Sequence, residues 1–210
     1  MKAGKYTLLA IVLASAVFSA QAQTVPKPKE FYFDEDRAAA PVVAVTGVEG
    51  AALVDQLVKA RDRGRKMVEA TAQLAHIALN DGRTELGRQL YQQALGSTQS
   101  GGNLWRSISW NYGWDLYRLG EYEAALQQWT PLVSAVRGPS WVPPTLALAL
   151  WKQGRKDEAV QWYGAAVRTE PLLWTDARNY ATLLPGWRQE DRDTLAEVLG
   201  AWQANPPVWP

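Results

Sequence analysis

The chain is predicted to be all-α: a short α-solenoid of about three helical hairpins, with one helix before them and a capping helix after them. Three observations lead there. From residue 50 onward, apolar residues recur at helical spacing, and no run alternates as a half-buried strand would. Gly82, Gly120 and Gly154 each separate two amphipathic stretches and are spaced 38 and 34 residues apart. Behind each glycine the same columns return: small Gly87, Ala125 and Ala159, then aromatic Tyr91, Trp129 and Tyr163, then Ala94, Leu132 and Ala166.

The first 22 residues read as an address. Lys2 and Lys5 precede a short apolar run from Leu8, and Ala20-Gln21-Ala22 is a small-x-small cleavage pattern. The run is too short to span a bilayer, which takes about 20 apolar residues. Cleavage after Ala22 is expected, giving an exported chain that starts at Gln23 and resides in a bacterial periplasm or in the medium, with no membrane span remaining. Residues 23–49 form an extended linker, set by Pro26 and Pro28, with an aromatic patch at Phe31-Tyr32-Phe33. That patch either docks on the helical body or serves as a docking peptide for a partner.

The helical part occupies residues 50–204. A leading helix opens at Ala51 and closes around Gly64. Each repeat glycine then ends a first helix in a left-handed cap. The small residue five positions on lets the two helices of a pair approach, and the aromatic fills the space between pairs. Glu121, Asp157 and Glu158 suit the first turn of a second helix, where the helix dipole favours acids. Pro131 is expected to kink the second helix of the middle unit, whereas Pro143-Pro144 suits a first helical turn. After Pro171, a short helix over 176–184 should stop at Pro185-Gly186. An amphipathic helix through Leu195, Val198, Leu199 and Trp202 should cap the array, followed by a Pro-rich tail over 205–210.

These columns, from Trp151-Lys152-Gln153-Gly154 through Ala159 and Ala166 to Pro171, resemble the tetratricopeptide repeat. Tyr112-Gly113, Leu116, Gly120, Ala125 and Trp129 extend the resemblance to the middle unit, and Gly82, Gly87, Tyr91 and Ala94 to the first. The resemblance implies a non-enzymatic adaptor in which the inner helix of each pair lines a concave groove. The implied groove residues are Trp110, Trp114, Tyr117 and Arg118 in the middle unit and Trp141, Leu148, Trp151 and Lys152 in the next. In the first unit they are Glu69, Ala72, His76, Leu79 and Asn80. Independently of any family, Trp110, Trp114 and Tyr117 stand at i, i+4 and i+7, on one helix face.

All eleven Trp lie from Trp105 onward, against three Phe in the whole chain. Flat aromatics beside Arg118 and Lys152 suit an extended peptide, especially its acidic groups or terminal carboxylate. They also suit a sugar ring, so an envelope glycan stacked on Trp110, Trp114 and Trp151 is the alternative partner. A third possibility is that the chain fills its own groove.

Composition removes other classes. The formal charge is +1, without the strong basic footprint of a nucleic-acid binder. With no Cys and a single His, His76, thiolate metal sites and Cys nucleophiles are excluded and a His-based metal site lacks a second ligand. No nucleophile elbow, phosphate loop or dinucleotide fingerprint occurs, so no enzyme and no cofactor are expected. The basic run Lys59, Arg61, Arg63, Arg65 and Lys66 and the carboxylates Glu190 and Asp193 read as solvated faces. The expected function is an exported scaffold binding a protein segment in a Trp-lined groove, within an envelope assembly.

Overall fold

The structure is a computed structural model and describes residues 24–28, 31–33, 39–133 and 138–208. The expected signal segment, Glu30, Asp34–Asp36 and the Trp of the tail, Trp209, lie outside the described residues. The helices among the described residues are α1 (Gly50–Arg63), α2 (Met67–Asn80), α3 (Thr84–Gly96), α4 (Asn103–Arg118) and α5 (Tyr122–Trp129). They continue as α6 (Val142–Lys152), α7 (Lys156–Thr169), α8 (Pro171–Trp174), α9 (Tyr180–Leu183) and α10 (Gln189–Ala204). None is long and apolar enough to cross a membrane.

Three hairpins stack in chain order: α2 on α3, α4 on α5, and α6 on α7. Their turns share one chemistry. Gly82, Gly120 and Gly154 adopt φ of 75°, 80° and 76°. Each left-handed glycine lets the next residue's N–H reach back to a carbonyl five positions earlier: Arg83 to Ala78, Glu121 to Leu116 and Arg155 to Leu150, at 2.8–3.0 Å. That double-bonded stop needs a residue without Cβ, since other residues resist this backbone by about 1–2 kcal/mol. The repeat columns then meet in the core, where Tyr91, Trp129, Tyr163, Ala94, Leu132 and Ala166 are all buried.

The sequence and the fold part company at three places. Pro131 does not kink a long helix: α5 stops at Trp129 and the chain tightens into a 3-10 turn over Thr130–Leu132. Without a proline N–H, the α-helical ladder ends and a tighter turn takes its place. The segment 176–184 is a 3-10 turn, Ala177–Asn179, followed by α9, and not one helix. Pro171 opens the single-turn α8, a helix that the periodicity does not signal. At the end of the array α10 packs on both α6 and α7, covering the apolar faces that a further hairpin would otherwise bury.

The aromatic patch of the linker divides. Tyr32 is buried, its ring 5.8 Å from that of Trp162, and its N–H donates to Thr169 Oγ1 at 3.2 Å. Phe31 and Phe33 remain 42% and 54% exposed, with the Arg168 guanidinium 5.5 Å over the Phe31 ring. One ring of the three therefore anchors the linker to α7, and two face outward.

Candidate functional site

A cavity of about 700 Å³ opens on the concave side, between α2, α4, the start of α6 and the 183–187 segment. That is the size range of sites for small ligands or a few large side chains. Its floor is α4. Trp110 and Trp114 lie one turn apart, with ring centroids 5.8 Å apart and nearly perpendicular. Trp129 of α5 sits beneath them, 5.9 Å from Trp110 and 5.2 Å from Trp114. Trp141 closes one side at 4.3 Å from Trp110. Trp187, carried on the loop after α9, closes the other at 5.1 Å from Trp114. Edge-to-face and offset pairs of this kind are favoured because ring edges are positive and ring faces negative.

One end of the cavity is polar. Asp115 is 2% exposed, yet its carboxylate is fully engaged. Tyr91 Oη donates to it at 2.6 Å and His76 Nδ1 approaches both its oxygens at 2.9 Å. Arg118 Nη1 stands 3.9 Å away, with its guanidinium 5.9 Å from the Trp114 ring. Burial, then the Asp115 charge, push the Tyr91 hydroxyl well above its usual range, so it remains a donor.

The chain itself fills part of this concave surface. Residues 39–43 run along the cavity wall. Asn111 Nδ2 donates to the Ala40 carbonyl at 2.8 Å. Gln73 grips the next turn of chain from both ends of its amide: Oε1 accepts from Ala44 N (2.8 Å) and Val45 N (3.1 Å), and Nε2 donates to the Val45 carbonyl (3.1 Å). These are the bonds an added β-strand would satisfy, supplied here by side-chain amides. Gln73→Ala should therefore raise hydrogen exchange at the amides of Ala44 and Val45 by at least tenfold. The melting temperature should move by no more than a few degrees, because Gln73 is half-exposed and packs no core. Unchanged exchange would mean that the segment is held by its apolar contacts alone.

Of the groove residues expected from sequence, Trp110, Trp114, Arg118 and Trp141 line the cavity, as do Ala72 and His76. Tyr117, Leu148, Trp151 and Lys152 do not, nor do Glu69, Leu79 and Asn80. For Tyr117 and Trp151 the capping helix supplies neighbours. Tyr117 turns inward among Trp114, Tyr122 and Trp129, its hydroxyl driven well above its usual range by burial and by nearby Asp191 of α10. Leu148 is wholly buried. Trp151 Nε1 donates to Glu197 Oε2 of α10 at 2.9 Å, and the Lys156 ammonium lies 3.3 Å over its ring. Lys152 is exposed, away from the cavity. Trp114 is only 9% exposed and is surrounded by rings, so it belongs to the core as much as to the cavity.

Two stretches of the chain, 108–129 and 145–171, match family models described as Tetratricopeptide repeat. The chain carries tetratricopeptide repeats. The first match spans most of α4 and α5, which carry the floor of the cavity, and the second spans α6 and α7. No curated protein and no solved structure matches the chain. The repeats support a role as a protein–protein interaction scaffold. Sequence reasoning missed the site residues of this tetratricopeptide-repeat protein that lie off the repeat columns: Gln73, Asn111, Asp115, Glu170, Trp174 and Trp187. Asp115 alone carried a signal, an acid flanked by Trp114 and Leu116 on the apolar side of an amphipathic helix. Among the described residues no group of His, Asp or Glu side chains is arranged to hold a metal ion.

Proposed function

We propose that this tetratricopeptide-repeat protein is an exported, non-enzymatic adaptor that takes a protein segment into the Trp-lined cavity, within a bacterial envelope assembly. The observation that carries the reading is the paired set Trp110–Trp141 and Trp114–Trp187 standing around an open space of about 700 Å³. Well-packed aromatic walls around a void are what an anchoring side chain of a partner fills. The basic start, short apolar run and Ala20-Gln21-Ala22 pattern support export.

A photo-crosslinking residue at Ser140, which is exposed and lines the cavity, tests the reading in the native host. The same group at Gln92, exposed on α3 outside the cavity, is the control. Expected is a discrete protein adduct from Ser140, absent from Gln92, and lost in a Trp110→Leu/Trp141→Leu background. The recovered chain should begin at Gln23; a chain that still carries residues 1–22 contradicts export by cleavage. An adduct indifferent to the two Trp changes would overturn the cavity as the site. A Trp-fluorescence shift with purified cell-wall fragments, in place of any protein adduct, would move the assignment to an envelope glycan.

A further inference from the structure

The cavity also carries information on what kind of side chain enters it. From sequence, Arg118 and Lys152 suggested an acidic partner. The structure weakens that suggestion: Lys152 lies outside the cavity, and Arg118, which lines it, stands 3.9 Å from buried Asp115. Among the described residues, the charged side chains lining the cavity are the carboxylates of Asp115 and Glu170 and the guanidinium of Arg118. Asp115 is engaged by Tyr91, His76 and Arg118. Glu170 differs: it is half-buried at the junction of α7 and α8, and its carboxylate has no hydrogen-bond or ion-pair partner among the described residues.

Backbone recognition is already spent. Asn111 and Gln73, the side-chain amides of the wall, are bound to the chain's own residues 40, 44 and 45. The indoles of Trp110, Trp141 and Trp174 and the Glu170 carboxylate line the same cavity. Indole faces attract cations through the ring quadrupole, and a carboxylate in a partly desolvated site completes that preference. Among the described residues, an acidic side chain would meet Glu170 with Arg118 alone to offset it, and that guanidinium already stands beside buried Asp115. A sugar would want several hydrogen-bonding side chains beside the indoles, and the amides that could supply them are occupied.

Resting on the adaptor reading above, we infer that the cavity selects a protein segment presenting a lysine or arginine side chain, received by the indoles of Trp110, Trp141 and Trp174 and by the carboxylate of Glu170. The preference belongs to the side chain and not to the partner's backbone, so it is readable from unrelated sequences.

The test is selection of a random 12-residue peptide display library on the purified full-length protein, with the enriched peptides then titrated by Trp fluorescence. Two variants accompany it. Glu170→Gln is isosteric at a half-buried position, and Trp141→Leu keeps apolar volume at the cavity wall. Both are checked for unchanged helical circular dichroism. Expected is enrichment of Lys or Arg over Asp and Glu at one position. Affinity should fall at least tenfold with Glu170→Gln and with Trp141→Leu, and should weaken with added salt. Enriched peptides that lack Lys and Arg, yet lose binding with Trp141→Leu, would overturn the cationic preference and leave the cavity reading standing. Basic peptides whose affinity is untouched by Glu170→Gln would overturn the preference as well. A library that yields no peptide dependent on Trp141 would overturn both.

Discussion

Replacing Trp129 with alanine is expected to cost about 3–5 kcal/mol of stability. Trp129 is 0% exposed and is the one ring that touches Trp110, Trp114 and Tyr117 together. Its Nε1 also donates to the Trp110 carbonyl at 3.2 Å, tying α5 to α4. Truncation removes the buried indole, leaves a hole under the cavity floor and strips that carbonyl of a partner. The indole also sets how closely α4 approaches α5. A Cβ at Gly113 would stand 2.1 Å from Trp129 Nε1. Gly113→Ala should therefore be destabilising in the wild-type protein and much less so in the Trp129→Ala background, a coupling of opposite sign to simple addition. Urea denaturation of the four proteins measures it. An additive pair would show that the glycine is not selected by the indole. A cost for Trp129→Ala under about 1 kcal/mol would show that the floor of the cavity is not a packed core.

Asp115→Ala is expected to be the most damaging polar substitution, at about 3 kcal/mol or more, because it strands groups that a buried charge had satisfied. The Tyr91 hydroxyl would lose its acceptor inside the core, and the 2.9 Å contact with His76 would vanish. Asp115→Asn keeps an oxygen for Tyr91 and should cost less, about 1–2 kcal/mol. Tyr91→Phe on top of Asp115→Ala should recover part of the loss, since an unsatisfied hydroxyl is then removed. Equal costs for the alanine and asparagine variants would place the effect in lost volume and not in the hydrogen bonds. The two sites are linked through α4: Trp114 and Asp115 are adjacent, one anchoring the aromatic wall and the other the polar end. Loosening either end should therefore disturb the cavity as well as the fold.

The hairpins were legible because their causes are local. A left-handed glycine, a small residue five positions on and an aromatic nine on leave a periodic mark whatever surrounds them, and Gly82, Gly120 and Gly154 take up the expected backbone. Half of the cavity was legible for the same reason: Trp110 and Trp114 share a face by helical spacing alone, and Trp141 and Arg118 stand at repeat positions.

The rest depended on what lies across each face, which no spacing encodes. Trp151 and Lys152 hold columns equivalent to those of the middle unit, but α10 packs on α6, so Trp151 bonds Glu197 and Lys152 looks outward. Pro131 removes an N–H in any context. α5 ends in a 3-10 turn instead of bending, with Trp129 and Leu132 both buried on either side of Pro131. Gln73, Asn111, Glu170 and Trp187 belong to four distant stretches of chain and line one cavity only through tertiary packing, with the linker and the 183–187 loop on its wall. Local backbone chemistry dictated the repeats from the sequence. Long-range packing, in which a helix face is worth what covers it, decided which parts of the concave surface stayed open and left Glu170 in it without a partner among the described residues.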